Sequence, residues 1–142
     1  MSSINVSADQ LEELATQLLI ESGCEKKESQ IISQILVWCD QIGRHNQGVW
    51  RLPLLTRRLN EDLIKSPCNP HFTQSSQSVS ILNADQGSGH FIGHLAMQKA
   101  VDLAKDTSVG IVGVKNSNFF GAGSYYVNQA CQAGMIGLGM SN

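Results

Sequence analysis

Apolar residues recur at helical spacing through the first third of the chain. Leu11, Leu14, Ala15, Leu18 and Leu19 share one face, which predicts a first helix. Ser7 followed three residues later by Gln10 makes a capping-box start, and Val6 is placed to staple against Leu11. Gly23 is a plausible stop. The spacing predicts a second helix over Lys26–Gln41, with Ile31, Ile32, Ile35, Leu36, Trp38 and Cys39 on its apolar face and Gly43 ending it. Residues 44–51 are polar and aromatic without a clear period. Pro53 then suits the first position of a short third helix that turns Leu55 and Leu59 inward.

The pattern changes after Ser66, Pro67, Cys68, Asn69 and Pro70, a loop and the best candidate boundary. It divides the chain into a helical N-terminal region, 1–70, and an α/β unit, 71–142. Val79 to Leu82 predicts a strand, Asp85 to Gly89 a turn, and His90 to Asp106 a helix with Ile92, Leu95, Ala96, Ala100, Leu103 and Ala104 on its inner side. A strand at Ile111–Val114, a loop at Asn116–Asn118, a helix at Ala122–Ala133 and a last strand at Met135–Met140 complete a β-α-β-α-β order. Connections of that length permit crossovers, so parallel pairing is expected in a mixed α/β fold. The last strand would leave an uncovered apolar edge, an aggregation hazard. Either a partner covers that edge or the sequence is part of something longer.

Charge sharpens the division. Residues 1–86 hold 17 of the 22 Asp, Glu, Lys and Arg residues and 3 of the 13 glycines, as amphipathic helices would. The Gly-rich, weakly charged remainder reads as α/β structure with tight turns. A formal charge of −2 and no long basic run argue against nucleic acid or an anionic membrane as a partner. No stretch approaches the roughly 20 apolar residues of a membrane span, and the N-terminus lacks the blocks of a secretion signal. A cytoplasmic location is the expectation. Cys24, Cys39, Cys68 and Cys131 form no close pair, so free, mostly buried thiols are expected rather than zinc or disulfides.

Several segments have the composition of sites. Gly87, Gly89 and Gly93 follow a strand and open a helix, the setting of a dinucleotide turn, but the spacing is GxGxxxG and no acid ends the next strand. The same residues make an ordinary tight turn. His90 and His94 stand at zinc-binding spacing without a third ligand; no metal is expected. Asn116, Ser117 and Asn118 lie between a strand and a helix, where polar ligands dock and where capping loops also form. Arg51 sits beside an aromatic residue, as a carboxylate clamp would, and His45 is of the side-chain type that serves as an acid or base. Both are equally at home as solvated loop charges.

These segments together resemble one family. Gly48-Val-Trp-Arg-Leu-Pro53, then Gly89-His-x-x-Gly93 with Ala96-Met97, Ala100-Val101 and Ala104-Lys105, then Gly110-Ile-Val-Gly-Val-Lys-Asn-Ser-Asn118 with Phe120-Gly-Ala122 are similar to elements of the malate/L-lactate dehydrogenase family. This is the non-Rossmann type, which includes ureidoglycolate, sulfolactate and diketogulonate dehydrogenases. Tyr125-Tyr126 and Gly134-Met-Ile-Gly137 extend the match. The resemblance implies a helical N-terminal region, a non-Rossmann nucleotide-binding sheet, dimers, and hydride transfer between NAD or NADP and a small 2-hydroxy or 2-oxo acid. It assigns Arg51 and Asn118 to substrate, and Gly121 and Ser141 to cofactor.

Two departures qualify that expectation. The family's Ser-His before Gly-Val-x-Arg is Asn46-Gln47 here, and its His before Phe-Gly is Phe119. Neither replacement exchanges a proton near pH 7, which leaves His45 as the remaining candidate catalytic group. Family chains are also much longer, so the resemblance reads this chain as an N-terminal portion, inactive or very weak alone. The rival readings are a non-catalytic partner of a full-length relative, and a small nucleotide-binding module resting on the Gly87–Gly93 turn.

Overall fold

The computed structural model describes residues 5–141. Three α-helices come first: α1 (Ala8–Glu21), α2 (Lys26–Gln41) and α3 (Leu52–Asn60), with single 3-10 turns at His45–Gln47 and Val49–Arg51 before α3. Strands β1 (His71–Gln74) and β2 (Val79–Asn83) follow, then α4 (Gly89–Thr107), β3 (Ile111–Lys115) and α5 (Gly123–Gln132).

Local chemistry accounts for the helix ends. Ser7 accepts the N–H of Gln10, and its hydroxyl donates to Oε1 of the Gln10 side chain, a variant of the expected capping box. Glu25 caps α2 by accepting the N–H groups of Lys27 and Glu28. After α1, Gly23 takes a positive φ of 89°, so its N–H reaches Ile20 while the N–H of Cys24 reaches Leu19. That is a Schellman closure, which favours a residue without Cβ. Gly43 closes α2 in the same way, through Asp40 and Cys39.

One apolar cluster joins the helices to the sheet: Ala15 and Leu19 of α1, Ile32 and Leu36 of α2, Leu55 and Leu59 of α3, Leu82 of β2, and Phe91, Ile92 and Ala96 of α4. Each fully buried Leu or Ile contributes about 1.5–3 kcal/mol. A second cluster, Ile35, Cys39, Ala122 and Tyr126, holds α5 against α2. The loop before β1 is tied down by the buried Glu28 carboxylate, which accepts the Ser66 hydroxyl and, at 2.8 Å, the N–H of Cys68.

The sheet order is β1-β2-β3. β2 and β3 run parallel, with Val79 opposite Ile111 and Asn83 opposite Lys115; α4 is the crossover between them. β1 pairs antiparallel to β2. It was not anticipated, because all four of its residues are exposed and so show no alternation. The strand expected at Met135–Met140 is a correction in the opposite direction: residues 135–140 are irregular and join no sheet among the described residues. Gly137 lies tight against Ala130 and Val127 of α5. That packing holds the segment to the helix instead of to β3, and leaves Ile136, Leu138 and Met140 at 95, 81 and 89 % exposure. All four cysteines are free; Cys24 and Cys39 are buried, Cys68 is half-buried and Cys131 is exposed.

Candidate functional site

Three segments converge where α3 and α4 begin and β3 ends. Arg51 closes the second 3-10 turn, and its Nε donates to the main-chain carbonyl of Asn46 at 2.8 Å. Its guanidinium carbon stands 5.0 Å from the centroid of the Phe119 ring, within cation–π range. The ring of His90, in the first turn of α4, meets the same Phe119 ring edge-on, with centroids 5.8 Å apart.

His90 is wholly buried. Burial, and after it the charge of Arg51, pushes its pKa down to about 4, so the imidazole is neutral at physiological pH. Nδ1 lies 3.5 Å from the Ser88 hydroxyl, and Nε2 has no hydrogen-bond partner among the described residues. Gly121 explains how the ring fits: a Cβ there would stand 2.6 Å from Nε2.

Asn118 organises the adjoining loop. Its Nδ2 donates to the carbonyls of Gln86 at 2.7 Å and Gly87 at 3.3 Å, and its Oδ1 accepts from Nη2 of Arg58 at 2.9 Å. The glycines at the start of α4 serve close packing. A Cβ on Gly89 would strike the carbonyl oxygens of Asn118 and Phe119, and one on Gly93 would strike the Tyr126 ring. Tyr126 in turn donates to the carbonyl of Phe120 at 2.7 Å.

Beside this cluster opens a cleft of about 1530 Å³. β3, the loop Asn116–Gly121, Arg58 and the run from Gly134 to Ser141 all line it. Asn118, Gly121 and Ser141 therefore share one cleft, and Arg51 reaches the same loop through Phe119. His45 is set apart: its ring is 77 % exposed and its Nδ1 lies 2.9 Å from Oδ1 of Asp40. Asp40 also accepts the N–H of Val49 at 2.8 Å, and the Asn46 carbonyl, next to His45, holds Arg51. Gln47, at the position of one family histidine, has a buried Oε1 without a partner among the described residues. His94 bonds Gln129 of α5 at 3.0 Å, and no group of three or more metal-ligating side chains exists among the described residues.

Sequence reasoning missed Arg58 and did not place His90 in the cluster. Arg58 lies on the inward face of α3, three residues after Leu55 and next to Leu59, and that spacing was the available signal. His90 was noted for its spacing to His94, but its burial in the cluster carried no signal, because the burial of a polar side chain does not show in a hydrophobic pattern.

The profile of the malate/L-lactate dehydrogenase family matches residues 6–142. Malate dehydrogenase of Pyrococcus horikoshii is 32 % identical over 98 % of this chain and 39 % of its own length. Malate/(S)-sulfolactate dehydrogenase of Methanothermus fervidus is 29 % identical over 96 % of this chain and 40 % of its own. The solved P. horikoshii malate dehydrogenase superposes with a TM-score of 0.88, at 28 % identity, covering 92 % of this chain and 38 % of that one. The chain belongs to the malate/L-lactate dehydrogenase family, and corresponds to an N-terminal portion of about two-fifths of the length of these relatives.

Proposed function

We propose that the chain is the N-terminal portion of an NAD(P)-dependent oxidoreductase acting on a small 2-hydroxy or 2-oxo acid, and that it is inactive or very weak alone. The observation that carries the substrate reading is the placement of Arg51. Its guanidinium is fixed by the Asn46 carbonyl and the Phe119 ring, beside a neutral imidazole that does not compete for its charge. A guanidinium fixed in this way suits a carboxylate anion, and the amide of Asn118 lies in the next residue of the loop.

The cleft residues fit a nicotinamide dinucleotide. Gly121 brings main chain to the surface of the cleft, Ser141 and Asn116 add polar groups, and Arg58 holds a buried Nε with no partner among the described residues. When bound, such a cofactor supplies or accepts the hydride. What this chain does less well is move the accompanying proton. Gln47 and Phe119 cannot carry it. His45 is the proposed catalytic group, its Nδ1 oriented by Asp40 so that Nε2 is left to take a proton.

The test is a fluorescence titration through Trp50, the neighbour of Arg51. Pyruvate or oxaloacetate is expected to quench it saturably, and Arg51→Lys to weaken binding at least about tenfold, the loss of one bidentate pair. Equal binding by the variant would refute the reading, as would oxidation of malate or lactate by the chain alone at an ordinary enzyme rate.

A second reading is favoured by the exposure of Ile136, Leu138 and Met140: a non-catalytic partner of a full-length relative. Under either reading the chain is proposed to work in the company of further family polypeptide, as a dimer or in a mixed pair, in the cytoplasm.

A further inference from the structure

We propose that Phe119 sets the substrate class of this site, and that the acid held by Arg51 is an aryl-substituted 2-hydroxy or 2-oxo acid, with one carboxylate and one aromatic ring, rather than a dicarboxylic acid. The proposal rests on the carboxylate reading of Arg51 given above.

The first observation is the pairing of a fixed cation with a fixed ring. Nε of Arg51 is bonded to the Asn46 carbonyl, and Arg51 forms no ion pair with a carboxylate among the described residues. The Phe119 ring stands 5.0 Å from its guanidinium carbon. The backbone that carries the ring is itself held. Asn118, one residue earlier, is bonded to Arg58, Gln86 and Gly87. The Phe119 carbonyl packs so closely on Gly89 that no Cβ fits there. A ligand that presents an anion and an apolar group together meets partners that are already ordered, which lowers the cost of binding.

The second observation is what surrounds the ring. The buried His90 ring meets Phe119 edge-on, and burial keeps that imidazole neutral at physiological pH. Phe119 is nonetheless 44 % exposed and lines the cleft. Two further cations line the cleft. Arg58 has its Nη2 engaged by Asn118, and Lys115 is exposed at the end of β3. The cation over the Phe119 ring is Arg51. A second carboxylate placed on that ring therefore meets hydrocarbon backed by a neutral imidazole, and gives up water without a partner. An aromatic group gains there, because ring pairs favour offset or edge-on contact at centroid separations of about 4.5–7 Å.

The third observation is length. In a 3-aryl-2-hydroxy acid two carbons separate the ring from the carboxylate, so the ring centre lies roughly 5 Å from the carboxyl carbon by ordinary bond lengths. The guanidinium carbon and the Phe119 centroid are 5.0 Å apart. One such molecule can thus pair its carboxylate with Arg51 and its ring with Phe119 at the same time. Lactate, which has no ring, reaches Arg51 alone.

The experiment titrates the full 142-residue chain by calorimetry with phenyllactate, lactate and malate. Phenyllactate is expected to bind at least about fivefold more tightly than either of the others. Phe119→Leu keeps an apolar side chain without the ring, and is expected to bring the phenyllactate and lactate affinities to within about twofold of each other. Phe119→Tyr should preserve the preference. The ratio of the two acids is the readout, so a change in how the variant holds Arg51 affects both and cancels. Thermal unfolding checks that the variants fold, and the ratio in the unmodified chain decides the matter if they do not. Phenyllactate no tighter than lactate, malate as the tightest of the three, or a preference that survives Phe119→Leu would each overturn the inference. In those cases lactate binding that still weakens in Arg51→Lys leaves the carboxylate reading standing. Absence of binding by all three acids would end both.

Discussion

Arg58 donates through Nη2 to Oδ1 of Asn118 at 2.9 Å, joining α3 to the loop after β3 across 60 positions of sequence. Asn118 passes the connection on by donating to the carbonyls of Gln86 and Gly87. A half-buried, charge-assisted bond of this kind contributes about 1.5–3 kcal/mol. Arg58→Ala is expected to destabilise the chain by that order, with Asn118→Ala adding less than its separate effect. A double-mutant cycle by denaturant unfolding should give a coupling of about 0.5–3 kcal/mol. Strict additivity would show that the bond does not form in solution.

His90 makes stability depend on pH. Its folded pKa is about 4 against an ordinary 6.5, chiefly because the ring is buried. The unfolded chain therefore binds the extra proton first on acidification. The contribution of the neutral ring is fully present above about pH 6.5 and is lost as pH falls toward 4. At roughly 1.4 kcal/mol per pK unit the whole change is about 3 kcal/mol. Urea unfolding between pH 7 and 4 should show this slope, and His90→Asn should flatten it. A variant with the wild-type slope would assign the pH dependence elsewhere.

The limits of the sequence follow from what a hydrophobic pattern records. Helices α1, α2 and α4 were legible because each buries one face, so Leu19, Ile35 and Ile92 reveal the period. Arg51 and Asn118 were candidates by residue type and placement, Gly121 came from the family resemblance, and the roles of all three stand as proposals. β1 was illegible because none of its four residues is buried. Residues 135–140 misled for the opposite reason. Alternation at Ile136, Leu138 and Met140 reports a segment able to lie in a sheet, but pairing needs a neighbour, and Gly137 is held by α5.

Gly121 admits no side chain. Its φ is +76°, and a Cβ would come within 2.7 Å of two atoms of the buried His90 ring. Gly121→Ala therefore combines backbone strain with a clash against a ring that has no room to turn, at a cost of about 1–3 kcal/mol. Gly134→Ala is the matched control: φ there is +74°, but nothing lies within 4 Å of the new Cβ. Thermal unfolding should show the larger loss at Gly121. Equal losses would mean that strain alone acts and that His90 is not packed against the glycine.

Thiol chemistry tests the packing of α2 against the loop before β1. The thiolate is the reactive form, and three of the four cysteines are kept from forming it. Burial raises Cys24; burial and then the Asp40 charge push Cys39 up to about 11; burial and then the Glu28 carboxylate push Cys68 up to about 12. Cys131 is exposed on α5. A disulfide reagent at pH 8 is expected to titrate one thiol quickly and the other three only at the rate of unfolding. Cys131→Ser should remove the fast phase. Glu28→Gln should accelerate Cys68, because it removes the negative charge that opposes the thiolate and weakens the bond that holds the Cys68 N–H. Two fast thiols in the unmodified chain would show that the Glu28–Ser66–Cys68 contact is open in solution.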